Sequence, residues 1–487
     1  MNDTLWQPAF VQGLLFITIL GVWSAGERRH KAALYVMIAS LVTSMIILAT
    51  LIQDVLGGKV YTAVYNILPP FGLSFQLDLL SLALSLLFLF VGAVLVLYLV
   101  TYPLQQGYRR FQTVFLLIIT CATGVVMAGD LMSLFLFFEV MSVSFFILVI
   151  HDQAQASVAA AYKYLYMTVG GSVLYFMAVA CIFSLTGAVS WSEAATLPAG
   201  PLTTLAFLGF VAAFGMKAGL FPLHIWMSDA YGQAPVPAMA LSSLIMLKTG
   251  AYGLIRVVHQ VFGIELMNQQ GWGTLLLVLS IGSILYGSLC AFAEKDLPRR
   301  LAYSGMAQVG YITFGLAMVT PDALVGSLYH IVAHIMMKGT LILCAGAIIT
   351  KTGKRKISEL AGIGTQMPLT MALFSLAALT SVGLPPMNIF ITKWYLSLGV
   401  LDAGQPFLIF VLLASSVLNA AYYLPISYTA FFGERNRDLH GALVGERLPA
   451  TMVISMLILA VGCIAFSFMP QNIPLDWART IAAGFFQ

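Results

Sequence analysis

Fourteen apolar runs of about 20 residues each punctuate the chain, at approximately 8–24, 32–52, 77–101, 111–129, 131–150, 161–186, 204–228, 236–258, 273–293, 302–319, 323–350, 367–398, 405–432 and 448–468. As a helix, a run of that length spans the hydrocarbon core of a bilayer, about 30 Å. Inside lipid only helices and closed barrels satisfy every backbone polar group, so the repeated runs leave few architectures open. The expectation is an all-α polytopic membrane protein with about fourteen transmembrane helices. Composition agrees: of 487 residues 60% are hydrophobic and 9% charged, with a mean hydropathy of +0.94, where a soluble domain carries about 25% charged residues. No low-complexity tract or long linker interrupts the pattern, so residues 1–487 read as one membrane domain. The first run lacks a basic n-region and an A-x-A cleavage site, which reads as a retained span and not a signal peptide.

The net charge of +4 says little, because the charges are segregated. Arg28, Arg29 and Lys31, Arg109 and Arg110, Lys163, Lys295, Arg299 and Arg300, Lys351 to Lys356, and Arg435, Arg437 and Arg447 fall on one side; Lys59, Arg256 and Arg479 fall on the other. By the positive-inside rule the first side is cytoplasmic and both termini face away from it. Cys121, Cys181, Cys290, Cys344 and Cys463 lie far apart within apolar runs, without ligand spacing, and read as small core residues; no metal site is expected. With no GxxxxGK[ST] loop and no GxGxxG turn, nothing points to a bound nucleotide, to another cofactor or to catalytic chemistry of the chain's own.

Lys217, Lys248, Lys338 and Lys393 sit inside the runs, and Glu139 is the one acid deep in a span. A charge at the bilayer centre costs about 3 kcal/mol on insertion scales, so such groups normally face a protein or water-filled interior and mark an ion or proton path. In SLYHIVAHIMMKGTLILCAGAII (327–349), His330, His334 and Lys338 recur at steps of four. Each step advances about 40° around a helix, so the three side chains form one slanting polar stripe. Histidine titrates near neutral pH, and a lysine's charge responds to burial and to a neighbouring carboxylate, so both suit a proton relay. Plainer readings exist for each. Lys393 lies close enough to the end of its run to snorkel, Glu139 would balance a buried lysine, and the His/Lys stripe would serve as hydrogen-bonding glue between helices. His224, just after a proline near the cytoplasmic face, reads as interfacial.

Two runs contain prolines: Pro222 follows Lys217 by five residues, and Pro385 and Pro386 precede Lys393. Proline removes a helical hydrogen bond and frees carbonyls. The run 367–398 would measure roughly 48 Å as one straight helix, so a broken helix is expected there. The local strings GLFP (219–222) and GLPP (383–386) are alike. Interrupted helices at corresponding places point to two inverted repeats, each with one broken helix and an ion path beside the break. We place repeat one at about 111–259 and repeat two at about 273–432.

The stretches LDLLSLALS with Asp78, DLMSLFLFFEVMS, KAGLFPLHIWMSDAYGQAPVPAMALSSLIMLKTGAYGLIR, EKDLPRRLAYSGMAQVGYI, YHIVAHIMMKG, KISELAGIG and GLPPMNIFITKWYL, in that order from about residue 77 to 398, resemble the antiporter-like subunits shared by respiratory complex I, membrane-bound hydrogenases and Mrp-type cation/proton antiporters. The resemblance implies that Glu139 and Lys217 are a coupling pair, that Lys248, His330, His334 and Lys338 are a central relay, and that Lys393 is the outer terminal site. Lysine at 393 and phrases such as HIMMKGTLILCAGAI are most similar to the D-subunit branch of Mrp antiporters or its counterparts. The chain stops soon after its last span, which implies that the long lateral helix of the largest complex I relative is missing. The expected function is a proton-translocating subunit of a multisubunit Na⁺ (monovalent cation)/proton antiporter, in the cell membrane of a prokaryote, with other membrane subunits, protons and a monovalent cation such as Na⁺ as partners. The alternative is a proton-pumping subunit of a quinone oxidoreductase or membrane-bound hydrogenase, which would make it part of a redox enzyme. A solute carrier acting alone is disfavoured because no cluster of polar and aromatic residues suits an organic substrate, and a scaffold with degenerate channels because the titratable set is full.

Overall fold

The computed structural model describes residues 6–65, 72–104, 106–191, 197–434 and 446–486, so the basic residues Arg435 and Arg437 lie outside the described residues. The chain forms two compact units, the first comprising residues up to Val100, Leu104–Ala218 and Ile245–Gly271, the second Thr101–Pro103, Gly219–Leu244 and the chain from Trp272 on.

The first unit begins with α1 (Gln7–Ala25), α2 (His30–Ala49) and the short α3 (Ile52–Leu56). An antiparallel hairpin of β1 (Tyr61–Tyr65) and β2 (Leu73–Leu77) follows, pairing Tyr61 with Leu77 and Tyr65 with Leu73. Then come α4 (Leu79–Leu99), α5 (Tyr108–Met127), α6 (Leu131–Val149), α7 (Gln155–Thr186) and α8 (Pro201–Ala218). The acids Asp78 and Asp130 set where α4 and α6 start: each carboxylate accepts from the backbone N–H three residues on, Ser81 at 2.9 Å and Ser133 at 2.6 Å, satisfying an amide that the helix leaves without a partner.

The second unit contains the short α9 (Met227–Gln233), then α11 (Gly273–Ala293), α12 (Leu297–Met318) and α13 (Pro321–Thr352). It continues with α14 (Pro368–Val382), α15 (Asn388–Asp402), α16 (Ile409–Phe432), α17 (Ala450–Phe468) and α18 (Asp476–Phe486). Asp296 caps α12 through the N–H of Arg299 at 3.1 Å. The 35-residue helix α10 (Val236–Gln270) contributes its first turns to this unit and the rest to the other. It is not a uniform α-helix, because Ser242–Met246 and Val257–Phe262 are wound as π-turns, a distortion frequent at functional sites.

Among the described residues twelve helices are long and apolar enough to cross a membrane, two fewer than the apolar runs. The run at 302–319 is α12, which starts earlier and takes Arg299 and Arg300 into its first turn, diluting its apolar character. The run at 367–398 is divided between α14 and α15, of 15 residues each, or about 22 Å apiece. The expected break is therefore present, with Gly383 (φ 78°) at the end of α14. α8 ends in the same manner, with Gly219 (φ 73°) and then Pro222; beyond it the Phe221 N–H donates to Ser283 Oγ at 2.9 Å. Small residues let the helices close up: Gly399 of α15 lies so near Ala323 of α13 that an added Cβ would come within 2.4 Å of its methyl carbon, the close approach that membrane helices use in place of a hydrophobic drive.

Candidate functional site

In the first unit, α6 and α8 bring Glu139 and Lys217 together. Lys217 Nζ lies 3.8 Å from Glu139 Oε1, and the lysine side chain is 5% exposed against 23% for the glutamate. The nearer partner of the amine is a hydroxyl one turn along α6, with Lys217 Nζ donating to Ser142 Oγ at 2.5 Å. On the other flank Ser172 of α7 donates to Glu139 Oε1 at 2.5 Å, and the Phe138 ring lies 5.1 Å from the ammonium. Lys217 occupies the last turn of α8, immediately before the break, where a carboxylate that moves by an ångström or two changes which oxygen the amine meets. Lys248 is fully buried on α10, two residues past the π-turn at Ser242–Met246.

In the second unit, α13 carries His330, His334 and Lys338, all completely buried. The two imidazoles are stacked, with centroids 5.6 Å apart and planes within 6°. At the lysine end, Lys338 Nζ donates to Ser304 Oγ of α12 at 2.5 Å and to Tyr423 Oη of α16 at 3.2 Å, and those two hydroxyls are themselves 2.7 Å apart. At the histidine end, His330 Nδ1 is 3.3 Å from Thr392 Oγ1, the neighbour of Lys393 on α15. The Tyr311 ring joins the two, 5.2 Å from the His330 ring and 5.4 Å from Lys393 Nζ, and its hydroxyl meets Ser415 Oγ.

Lys393 does not reach for solvent. It is 8% exposed, and its amine donates to Val382 O at 3.0 Å and to Ser416 Oγ at 2.5 Å. Val382 is the last residue of α14, so a carbonyl at the helix break is satisfied by the lysine beside it. This overturns the snorkelling alternative. His224 is packed inside the protein, 7% exposed, with the Phe221 ring at 6.0 Å and the Tyr286 ring at 5.3 Å.

The hydroxyl partners of these lysines escape a search for charged residues. On α16, Ser415, Asn419 and Tyr423 follow one another at steps of four, with Ser416 and Tyr422 beside them. Asn419 Nδ2 donates to Ser381 O at 2.8 Å and Tyr422 Oη donates to Asn419 Oδ1 at 2.5 Å. The spacing rule that exposes the α13 stripe would expose this one too if neutral polar residues were counted. A second omission is the buried ion pair of Arg256 with Asp78, 2.6 Å apart, since Arg256 reads from sequence as a loop cation.

The profile described as NADH:quinone oxidoreductase/Mrp antiporter, TM, matches residues 128–419. Among known proteins, the N subunit of the NADH-quinone oxidoreductase of Desulforudis audaxviator is 34% identical, the match covering 83% of this chain and 84% of that one. The D-type subunit of the Na(+)/H(+) antiporter of Alkalihalophilus pseudofirmus is 29% identical, covering 80% of each. A chain of the solved Mrp complex from Dietzia sp. superposes with a TM-score of 0.90 at 22% identity, over 99% of this chain and 98% of that chain.

Proposed function

Because the chain belongs to the NADH:quinone oxidoreductase/Mrp antiporter membrane family, we propose that it is a proton-translocating subunit of a multisubunit monovalent cation/proton antiporter, working in a prokaryotic cell membrane beside other membrane subunits. The observation that carries this reading is the placement of buried lysines at both helix breaks: Lys217 against Glu139 and Ser142, and Lys393 against the freed carbonyl of Val382. Between Lys393 and Lys338 run Thr392, His330, His334, Tyr311 and Tyr423, all able to accept and donate a hydrogen bond. These residues place polar side chains of α12, α13, α15 and α16 between Lys338 and Lys393.

In this reading Glu139, Lys217 and Lys248 form the input half, and His330, His334, Lys338 and Lys393 the output half, of two inverted repeats. The carboxylate of Glu139 stabilises the ammonium of Lys217, and its withdrawal favours release of the proton. Lysines and arginines gathered in loops of one sign support an orientation with both termini on the non-cytoplasmic side. No cofactor and no metal enters the scheme. Hard cations prefer oxygen ligands, and the one deep carboxylate is committed to Lys217, so the exchanged cation passes through a partner subunit.

A second reading has its own support. The 34% identity to a NADH-quinone oxidoreductase subunit against 29% to an antiporter subunit favours the same proton machinery driven by electron transfer. Purification of the native complex separates them: small membrane subunits alone support the antiporter, and a peripheral iron–sulfur arm supports the redox complex. The relay itself is tested with Lys338→Ala in the assembled complex, where ΔpH-driven transport in everted vesicles should vanish at unchanged membrane abundance. Wild-type transport by that variant returns the α13 stripe to the role of helix glue.

A further inference from the structure

Lys248, Tyr252, Arg256 and Gln260 follow one another at steps of four on α10, so a second slanting stripe runs from the fully buried Lys248 toward the end of the helix. It ends in a closed knot. Arg256 is 1% exposed, and its guanidinium grips the Asp78 carboxylate in a fork, Nη1 to Oδ2 at 2.6 Å and Nη2 to Oδ1 at 2.7 Å. Nε donates to Tyr252 Oη at 2.8 Å, Nη1 also to Gln260 Oε1 at 3.1 Å, and Nη2 also to Ser81 Oγ at 2.7 Å. The Tyr252 hydroxyl donates to Val126 O at 2.9 Å. Every N–H of the guanidinium is thus engaged, and the Tyr252 hydroxyl, which lies between it and Lys248 along the helix, has its hydrogen committed to a carbonyl.

We propose that the Asp78–Arg256 pair is the seal of the first unit, closing the non-cytoplasmic end of the α10 stripe so that a proton on Lys248 does not escape to that side. Guanidinium does not deprotonate in proteins, so it passes no proton along the stripe. The pair is neutral as a whole, so it bars the stripe by engaging the donors of the guanidinium and the carboxylate that accepts them, not by repelling cations. Glue between helices would need only some of these bonds. A fully engaged, non-titrating cation at the end of a stripe that begins in a lysine is what keeps a half-channel open to one side alone. The proposal deepens the relay reading and rests on its orientation.

The test measures passive proton leak into everted vesicles carrying the assembled native complex, with no exchangeable cation present. The double substitution Asp78→Asn with Arg256→Gln removes both charges while keeping polar side chains at both positions, and should raise the leak severalfold; adding Lys248→Ala should return it to the wild-type rate. A wild-type leak in the assembled double variant overturns the seal, as does a raised leak that survives Lys248→Ala. If the double variant does not assemble, Arg256→Lys substitutes an amine that can deprotonate, and a tight vesicle with that variant overturns the proposal equally. Antiport by Lys248→Ala with the pair intact is the separate check: full activity sinks the relay reading, whatever the leak measurement gives.

Discussion

Lys217 has two oxygen partners of different kind, a hydroxyl at 2.5 Å and a carboxylate at 3.8 Å, and the difference yields a measurable distinction. If Glu139 were purely structural, Glu139→Gln would strand a buried ammonium at a cost of about 3–5 kcal/mol, and the amount of assembled complex would fall together with activity. If the carboxylate governs protonation, Gln leaves Ser142 to hold a neutral amine, and the complex assembles at near-normal levels without antiport, while Glu139→Asp retains part of it. Antiport per assembled complex decides between the two; normal specific activity in Glu139→Gln refutes the switch. Lys393→Arg makes a parallel case. The guanidinium can still bond Val382 O and Ser416, but it cannot release a proton, so a folded, transport-dead complex is expected, and an active one would show that Lys393 only fills the break. The charged members of the site are legible in the sequence because a charge in an apolar run is conspicuous. Ser142, Ser172, Ser304 and Ser416 are not, since serine is common in membrane helices and its partner is fixed only by packing.

Breaks and π-turns are what make these helices more than spans. Gly383 ends α14 in the left-handed region, and an added Cβ would sit 3.1 Å from Lys393 Cδ. Gly383→Ala should therefore destabilise the protein by about 1–2 kcal/mol from backbone conformation alone and push the lysine off the Val382 carbonyl. A lower thermal midpoint together with reduced antiport is the expected pair of results, and loss of neither would mean that the turn relaxes freely. Both breaks were readable from Pro222 and from Pro385–Pro386, because proline acts through its own covalent structure. The π-turns of α10 were not, for SSLIM and VVHQVF carry no residue that forbids an α-helix, and the extra residue per turn reflects tertiary packing. The hairpin of β1 and β2 does not show in the sequence for a related reason: YTAVY and LSFQL are too short to stand out beside runs four times their length.

For the whole chain, the apolar runs point to the all-α polytopic architecture almost unaided, while the count of about fourteen spans is not confirmed, because among the described residues α12 is too polar and α14 and α15 too short to qualify by length and composition. What no run length could reveal is how deep each titratable group lies. Lys338 stands 17 residues beyond Pro321 and 14 short of Thr352, close to the midpoint of α13, so in the proposed relay, with α13 centred in the bilayer, a charge arriving there would have crossed about half of the electrical thickness. At a membrane potential of 100 mV a full crossing is worth about 2.3 kcal/mol, and the half step to Lys338 accordingly about 1.1 kcal/mol. In the proposed relay, voltage alone would thus tilt the occupancy of Lys338, before any chemical gradient is applied. In complexes blocked at the exit by Lys393→Arg, a voltage jump should drive a transient displacement of about half an elementary charge with no steady current, and electrical recordings on solid-supported membranes would register it as a capacitive spike that decays to baseline.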